Sequence, residues 1–425
     1  MTYGGAGNDL IVMQWSYYGG PVNGDAGDDR ISSADSGNTL AGGAGADTLS
    51  GGAVADLLVS GSFVANSAGY YVAPADDAGL EHDRLSGGSG DDALAIGYGD
   101  DADGGTGTDT LRLSLAGLTQ GIDFNTAGIV SGAPFTLGGG VIQNVESLLS
   151  LRGTDFADTL RLATQNVMLT IDAGAGDDVI ISQSSSVSVL GGAGNDRFVS
   201  GPAGDTFDGG TGDDTIDYSA AASPVTVDLN LGSGAGGDSL AAVEAVIGSA
   251  FSDTLGGSSA NNTLVGGAGA DSITSGAGAD SLDGGAGNDT LDGGDGNDSI
   301  FGGLGDDVLI QVGGSGGPAI YDGGGGTDTL RAVGVTTAGT DVNGLPIDSV
   351  GVIGLTVTSI ERLEMASTAG RGLAFTIDIS QIGAGKIDPS AVLVGGLGKD
   401  VLVVVTPLTA TTGGTFSLPN FTLSN

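Results

Sequence analysis

The chain has no cysteine, one histidine and only 11 lysines and arginines among 425 residues. Each shortage removes a class of chemistry. Without cysteine there is no disulfide framework, no Cys-ligated zinc and no thiol nucleophile. The lone His82 cannot furnish an HExxH helix, a facial triad or a two-histidine zinc site. Basic residues this sparse cannot displace the counterions of a phosphate backbone, so nucleic acid is excluded as a partner. No apolar run approaches the roughly 20 residues of a membrane span. The opening stretch MTYGGAGNDLIVMQWSYY also lacks the charged-then-apolar order of a secretory leader.

What the chain does have is glycine and aspartate. Glycine numbers 85, and 52 acidic residues against 11 basic ones leave a formal charge of −41. Such a composition suggests disorder, but 39% hydrophobic residues and a mean hydropathy of +0.19 oppose it. Only five of the acids are glutamate (Glu81, Glu146, Glu244, Glu361 and Glu364). Short carboxylates among glycines suit tight turns and hard cations better than they suit a solvating tail.

The two residue types recur with a period of nine. From Gly248 to Ile310 the chain reads GSAFSDTLG, GSSANNTLV, GGAGADSIT, SGAGADSLD, GGAGNDTLD, GGDGNDSIF, GGLGDDVLI without a slip. Five further units fill residues 173–217 and four fill 24–59, with others at 4–12, 78–95, 104–112, 323–331 and 395–403. The consensus is GGxGxDxUx, with U aliphatic or Phe. Glycines at positions 1, 2 and 4 permit positive φ and let backbone carbonyls converge. Aspartate at position 6 adds a carboxylate to those carbonyls, which makes an all-oxygen site for a hard cation. Positions 7–9 alternate polar, apolar, polar, a short strand with one side chain turned inward. One unit cannot bury that side chain alone, so the units must stack.

This pattern resembles the repeats-in-toxin (RTX) family of calcium-binding nonapeptide proteins, hemolysin-type repeats among them. The resemblance implies an all-β fold: a parallel β-roll, or β-helix solenoid, in which two nonapeptides complete an 18-residue coil. It implies Ca2+ as cofactor, several ions held between turns 18 residues apart on both flanks. One turn would offer carbonyls of positions 2 and 4 with its Asp, and the later turn carbonyls of positions 1 and 3 with its own. Carried over, Gly267, Gly269 and Asp271 face Gly284, Ala286 and Asp289, while Gly285, Gly287 and Asp289 face Gly302, Leu304 and Asp307. On the other flank Gly276, Gly278 and Asp280 face Gly293, Asp295 and Asp298. Gly174, Gly176 and Asp178 pair with Gly191, Ala193 and Asp196, and Gly192, Gly194 and Asp196 with Gly209, Thr211 and Asp214. Gly27 and Asp29 face Gly42, Ala44 and Asp47, with Asp25 in place of the second glycine. Asp92, Asp109, Asp205 and Asp328 hold the same position in other repeats. Asn38 and Asn262 replace that Asp, Val54 replaces a turn glycine, and 182–190 (SQSSSVSVL) has no ligand, so these coils are expected to stack without a complete site.

The expected organisation is a first repeat block over 1–112, interrupted at 60–77, a β-rich interruption over 113–152, and a second block over 153–217. A second interruption covers 218–247, a third block 248–331, and a C-terminal β-rich capping region 332–425 with a last repeat at 395–403. Both interruptions end in a Val-Glu pair (Val145-Glu146, Val243-Glu244) before the repeat restarts as G-[TS]-x-F-x-D-T-L, at Gly153 and at Gly248. The third variant carries SIERLEM at 359–365.

Other motifs read as decoys. Gly313–Gly317 (GGSGG) matches a hydrolase elbow, yet the only histidine lies upstream. Gly232, Gly234 and Gly237 match GxGxxG without room for a βαβ helix. Trp15, Tyr17 and Tyr18 are expected to cover a solenoid end or to fill a wide coil, and His82 to be a solvated turn residue. The chain is therefore expected not to be an enzyme. It is expected to be secreted, to fold on calcium outside the cell, and to serve as a structural or surface component, surface-layer-like or adhesive. The expected partners are calcium, a type I secretion channel, and either its own copies or a cell-surface glycan. The alternative is the calcium-folding portion of a larger type I-secreted hydrolase or toxin, a reading suggested by the start just before a complete repeat at Gly4–Asp9.

Overall fold

The computed structural model describes residues 2–13, 21–34, 37–65, 71–74, 77, 79–183, 186–312, 320–333, 337–340, 346–351, 356–365, 372–378, 387–394, 401–405 and 422–424. The Trp15, Tyr17 and Tyr18 cluster, the GGSGG loop and the GGLGKD half of the last repeat lie outside them. The chain forms two compact units, Met1–Thr215 with Gly236–Ala242, and Ile216–Ala235 with Val243–Asn425. Both are parallel β-rolls. The only described helices are two 3-10 segments, Thr126–Ser131 and Ala235–Gly237, and none is long and apolar enough to cross a membrane.

The second unit shows the repeat at its most regular. Strands Thr263–Ala268, Ser281–Ala286, Ser299–Leu304 and Ile320–Gly325 pair in parallel, with Leu264 against Leu282, Leu282 against Ile300 and Ile300 against Tyr321. The opposite sheet runs through Thr254–Gly256, Ser272–Thr274, Thr290–Asp292, Val308–Val312 and Thr329–Val333, with Leu255, Ile273, Leu291, Leu309 and Leu330 in register. Consecutive partners in the uninterrupted repeats are 18 residues apart, so each nonapeptide contributes one strand to each coil. The apolar residue at position 8 points inward in both sheets, and each of these residues is at most 3% exposed. Two aliphatic ladders meeting face to face form the core. Burying each rung contributes about 1.5–3 kcal/mol, and a rung exists only because its neighbours do.

The first unit follows the same rule with wider coils. Its longest sheet runs in parallel from Thr2–Ala6 to Ser239–Ala241. Phe198 and Phe207 fill one stretch of the interior, stacked with ring centroids 5.0 Å apart. Residues 113–152 form an enlarged coil: Ser147–Arg152 returns beside Thr110–Ser114, Gly140–Gln143 pairs in parallel with Asp101–Thr106 in the opposite sheet, and Phe135–Leu137 is added antiparallel at its edge. In the C-terminal region of the second unit, Pro346–Gly351, Gly372–Asp378 and Val401–Val405 pair in parallel, so stacking continues past the last regular repeat.

Candidate metal centre

Most turns between strands end on the position 6 aspartate, and these aspartates line up in columns along the flanks. In each column one carboxylate oxygen is spent on the backbone. The N–H of Asp271 donates to Oδ1 of Asp289 at 2.7 Å, that of Asp289 to Asp307 at 2.8 Å and that of Asp307 to Asp328 at 2.9 Å. On the other flank Asp280 donates to Asp298 at 3.1 Å. In the first unit Asp29 donates to Asp47, Asp92 to Asp109 and Asp196 to Asp214, each at 2.7 Å, and Asp178 to Asp196 at 2.9 Å. This hydrogen bond fixes the carboxylate and aims its second oxygen.

That second oxygen is what makes the turns a site. Oδ2 of Asp9, Asp29, Asp47, Asp92, Asp109, Asp178, Asp196, Asp271, Asp280, Asp289 and Asp307 is buried and accepts no hydrogen bond. A buried carboxylate oxygen without a donor is costly, and here the cost recurs with the repeat. The oxygen lies over the position 1 glycine of its own turn. A Cβ on Gly284 would stand 2.5 Å from Asp289 Oδ2 and 2.6 Å from the carbonyl oxygen of Gly302, and one on Gly191 would stand 2.3 Å from Asp196 Oδ2 and 2.6 Å from Gly209 O. The first glycine is thus demanded by an oxygen cluster and not by its φ. Glycines 2 and 4 are demanded by both: Gly285 (φ 95°) and Gly287 (φ 142°) present their Cα hydrogens to the carbonyls of Gly267 and Gly269 one coil earlier. The position 3 carbonyl of the later turn accepts the position 4 N–H of the earlier one, Gly269 to Ala286 at 2.7 Å and Gly176 to Ala193 at 2.7 Å, and keeps a second lone pair.

The electrostatics match this geometry. Burial first, then the neighbouring Asp196 and Asp158 charges, push the Asp178 carboxyl up to about 8, although the Asp158 N–H holds it down. Burial and the charges of Asp271 and Asp307 push Asp289 up to about 6. Asp47, Asp92 and Asp205 are likewise raised to about 6 by burial. Such columns hold together when cations neutralise them. The donor set is carboxylate and carbonyl oxygen throughout, which suits a hard cation of flexible coordination such as Ca2+. When bound, the ion neutralises the facing carboxylates and ties adjacent coils together.

Other turns spend both oxygens on the protein. In the turn that restarts the repeats, Asp158 Oδ2 accepts the Thr154 N–H at 2.7 Å, while the Thr154 hydroxyl donates to Oδ1 at 2.9 Å and accepts the Phe156 N–H at 3.0 Å. Ser249 and Asp253 repeat this pattern. Asp56, beside the substituted Val54, turns Oδ2 to the Gly52 N–H at 2.7 Å. Asn262 donates its own N–H to Asp280 at 2.7 Å and so continues the column. Asp25 keeps its glycine's conformation at φ 76° and lays its carbonyl against Gly43.

Several residues in these columns were not singled out by the nine-residue register. Asp238 accepts the Asp205 N–H at 2.8 Å, 33 residues on. The signal for it was the Gly236-Gly237 pair, with φ of 70° and 96°, inside the stretch that mimics GxGxxG. Asp77 leaves the first interruption to join Asp83 and Asp100, with ligand atoms of all three within 4.8 Å of one another. Burial and the charges of Asp100, Asp47 and Asp77 push Asp83 up to about 8. His82, expected to be merely solvated, is half-exposed and meets the Asp101 carboxylate at 3.0 Å.

A parallel β-roll whose turns are repeated all-oxygen cation cradles defines a class of calcium-stacked solenoid. A family model described as the RTX calcium-binding nonapeptide repeat (4 copies) matches residues 23–59, 170–184, 188–220, 247–282 and 276–309. These segments are RTX calcium-binding repeats, and the cofactor they bind is calcium, several ions to the chain. No curated protein matches it.

Proposed function

We propose that this protein is secreted, folds on meeting calcium outside the cell, and acts there as a structural or surface component, surface-layer-like or adhesive. The observation that carries the reading is the recurrence of buried, unpartnered Asp Oδ2 atoms along both units. The turn pairs laid out above, from Gly27 and Asp29 to Asp328, are the proposed ligands. The three repeat blocks are the proposed calcium-binding segments, and the interruptions serve as wider coils between them.

Without metal, 52 acids repel across 11 bases and glycine raises the entropy lost on ordering. Sites of extracellular calcium modules bind at roughly 10⁻⁴–10⁻³ M, so a cytosol poor in calcium leaves them empty and the chain open. A medium at tenfold the dissociation constant adds about 1.4 kcal/mol per site. Coupled through shared aspartates, such sites act as a switch. An open chain also suits passage through a type I secretion channel. The test is far-ultraviolet circular dichroism of the full chain during a calcium titration. The reading expects β signal to rise steeply with calcium and to vanish in chelator. Full β signal in excess chelator would overturn it.

A further inference from the structure

Among the described residues, three of the four non-glycine residues with positive φ share one setting. Asn144 (φ 53°), Ala242 (φ 47°) and Ser359 (φ 51°) each begin an x-[VI]-E triplet: Asn144-Val145-Glu146, Ala242-Val243-Glu244 and Ser359-Ile360-Glu361. Each follows the last repeat of an array, at 104–112, 209–217 and 323–331. The carbonyl oxygen of each lies over the first glycine of that repeat, 2.0 Å from a Cβ placed on Gly104, 2.1 Å from one on Gly209 and 2.2 Å from one on Gly323. In a regular coil this place belongs to the position 1 carbonyl of the repeat one coil later, as Gly209 O fills it over Gly191.

The first of these turns also replaces the next aspartate. Glu146 Oε2 accepts the Asp109 N–H at 2.7 Å, the bond that Asp214 makes to Asp196 at 2.7 Å. In the regular turn the carboxylate comes five positions after the carbonyl, Gly209 to Asp214. Here it comes two positions after, Asn144 to Glu146, and the longer side chain covers the difference. Asp109 is 1% exposed, and its Oδ2 points over Gly104 with no donor. The cradle at the end of the array is therefore built, with one wall made by the return turn.

We propose that Asn144 and Glu146 complete a terminal calcium site with Gly105, Gly107 and Asp109, the glutamate standing in for the missing aspartate of a repeat one coil later. This rests on the calcium reading of the array and extends it to residues outside the nonapeptide consensus.

The test uses the full calcium-loaded chain, crystallised and measured at a wavelength where calcium scatters anomalously. The expected result is a peak between Asp109 and Glu146 besides those within the arrays. Peaks in the arrays with none here would overturn the inference alone; no peaks anywhere would overturn the calcium reading itself. In solution, Glu146→Gln, which keeps a hydrogen-bonding oxygen, should weaken one calcium site about tenfold. Asp109→Asn should remove the same site, so the double variant loses no more than Asp109→Asn alone. Unchanged calcium binding in Glu146→Gln, with the β signal intact, would also refute it.

Discussion

The position 1 glycine offers the sharpest test of the oxygen cradle, because at Gly284 nothing but the cradle forbids a side chain. Its φ lies outside the left-handed region, so Gly284→Ala adds no backbone strain. The added methyl would lie 2.5 Å from Asp289 Oδ2 and 2.6 Å from Gly302 O, in the space the ion needs. Crowding of this kind costs about 1–3 kcal/mol whatever the metal. Loss of one ion adds a second contribution that depends on calcium, about 1.4 kcal/mol at tenfold the dissociation constant and about 2.7 kcal/mol at a hundredfold. Urea unfolding of wild type and variant at several calcium concentrations separates the two. The stability difference should widen by about 1.4 kcal/mol for each tenfold rise in calcium above the dissociation constant. A difference that stays constant over that range means the methyl displaced no ion. An unchanged midpoint at every concentration refutes the cradle as well.

Three further outcomes follow from other parts of the structure. Thr154→Ala removes the hydroxyl that bridges Asp158 and Phe156 and should cost about 1–2 kcal/mol, with a penalty independent of calcium because that turn satisfies its own aspartate; a calcium-dependent penalty by the same urea assay would contradict this. Leu282→Ala empties a rung of the core and should cost about 2–5 kcal/mol by urea unfolding, whereas a loss under 1 kcal/mol would mean that Leu282 is not packed between Leu264 and Ile300. Acid should partly replace calcium. Burial raises Asp178 to about 8 and Asp289 to about 6, so the folded, metal-free protein binds these protons more tightly than the unfolded chain does. The stability this confers is complete below the unfolded carboxylate value of about 3.9 and is lost as pH rises through 6 and 8. In chelator the circular dichroism β signal should therefore be larger at about pH 5 than at about pH 8, and a signal that grows with pH would contradict the sign.

Most of the fold was legible because the period of nine carries its own physics. An inward aliphatic residue every nine positions and an 18-residue return specify which side chains stack, as Leu264, Leu282 and Ile300 do. The position 6 columns were legible for the same reason. What could not be read was how each carboxylate divides its two oxygens. Asp158 and Asp178 occupy the same place in the consensus, yet only Asp178 has a free buried oxygen, since the hydroxyl of Thr154 and its N–H claim those of Asp158. Position 1 glycine looked like a conformational requirement and proved to be a steric one imposed by Asp Oδ2. Contacts that break the register were hidden as well. Asp238, Asp77 and Glu146 reach their columns through loops of irregular length, so no fixed spacing announces them. The Val-Glu recurrence was visible in the sequence, but its positive φ and its carbonyl over Gly104 appear only once the chain is folded.

The central claim is that calcium fills the cradles and that the roll depends on it. Counting bound calcium on the folded full chain, by native mass spectrometry after exchange into a volatile calcium-containing buffer, tests it most directly. Several ions per folded chain are predicted, with the folded charge distribution collapsing to that of an unfolded chain when chelator removes them. A compact folded chain carrying no calcium would contradict the account.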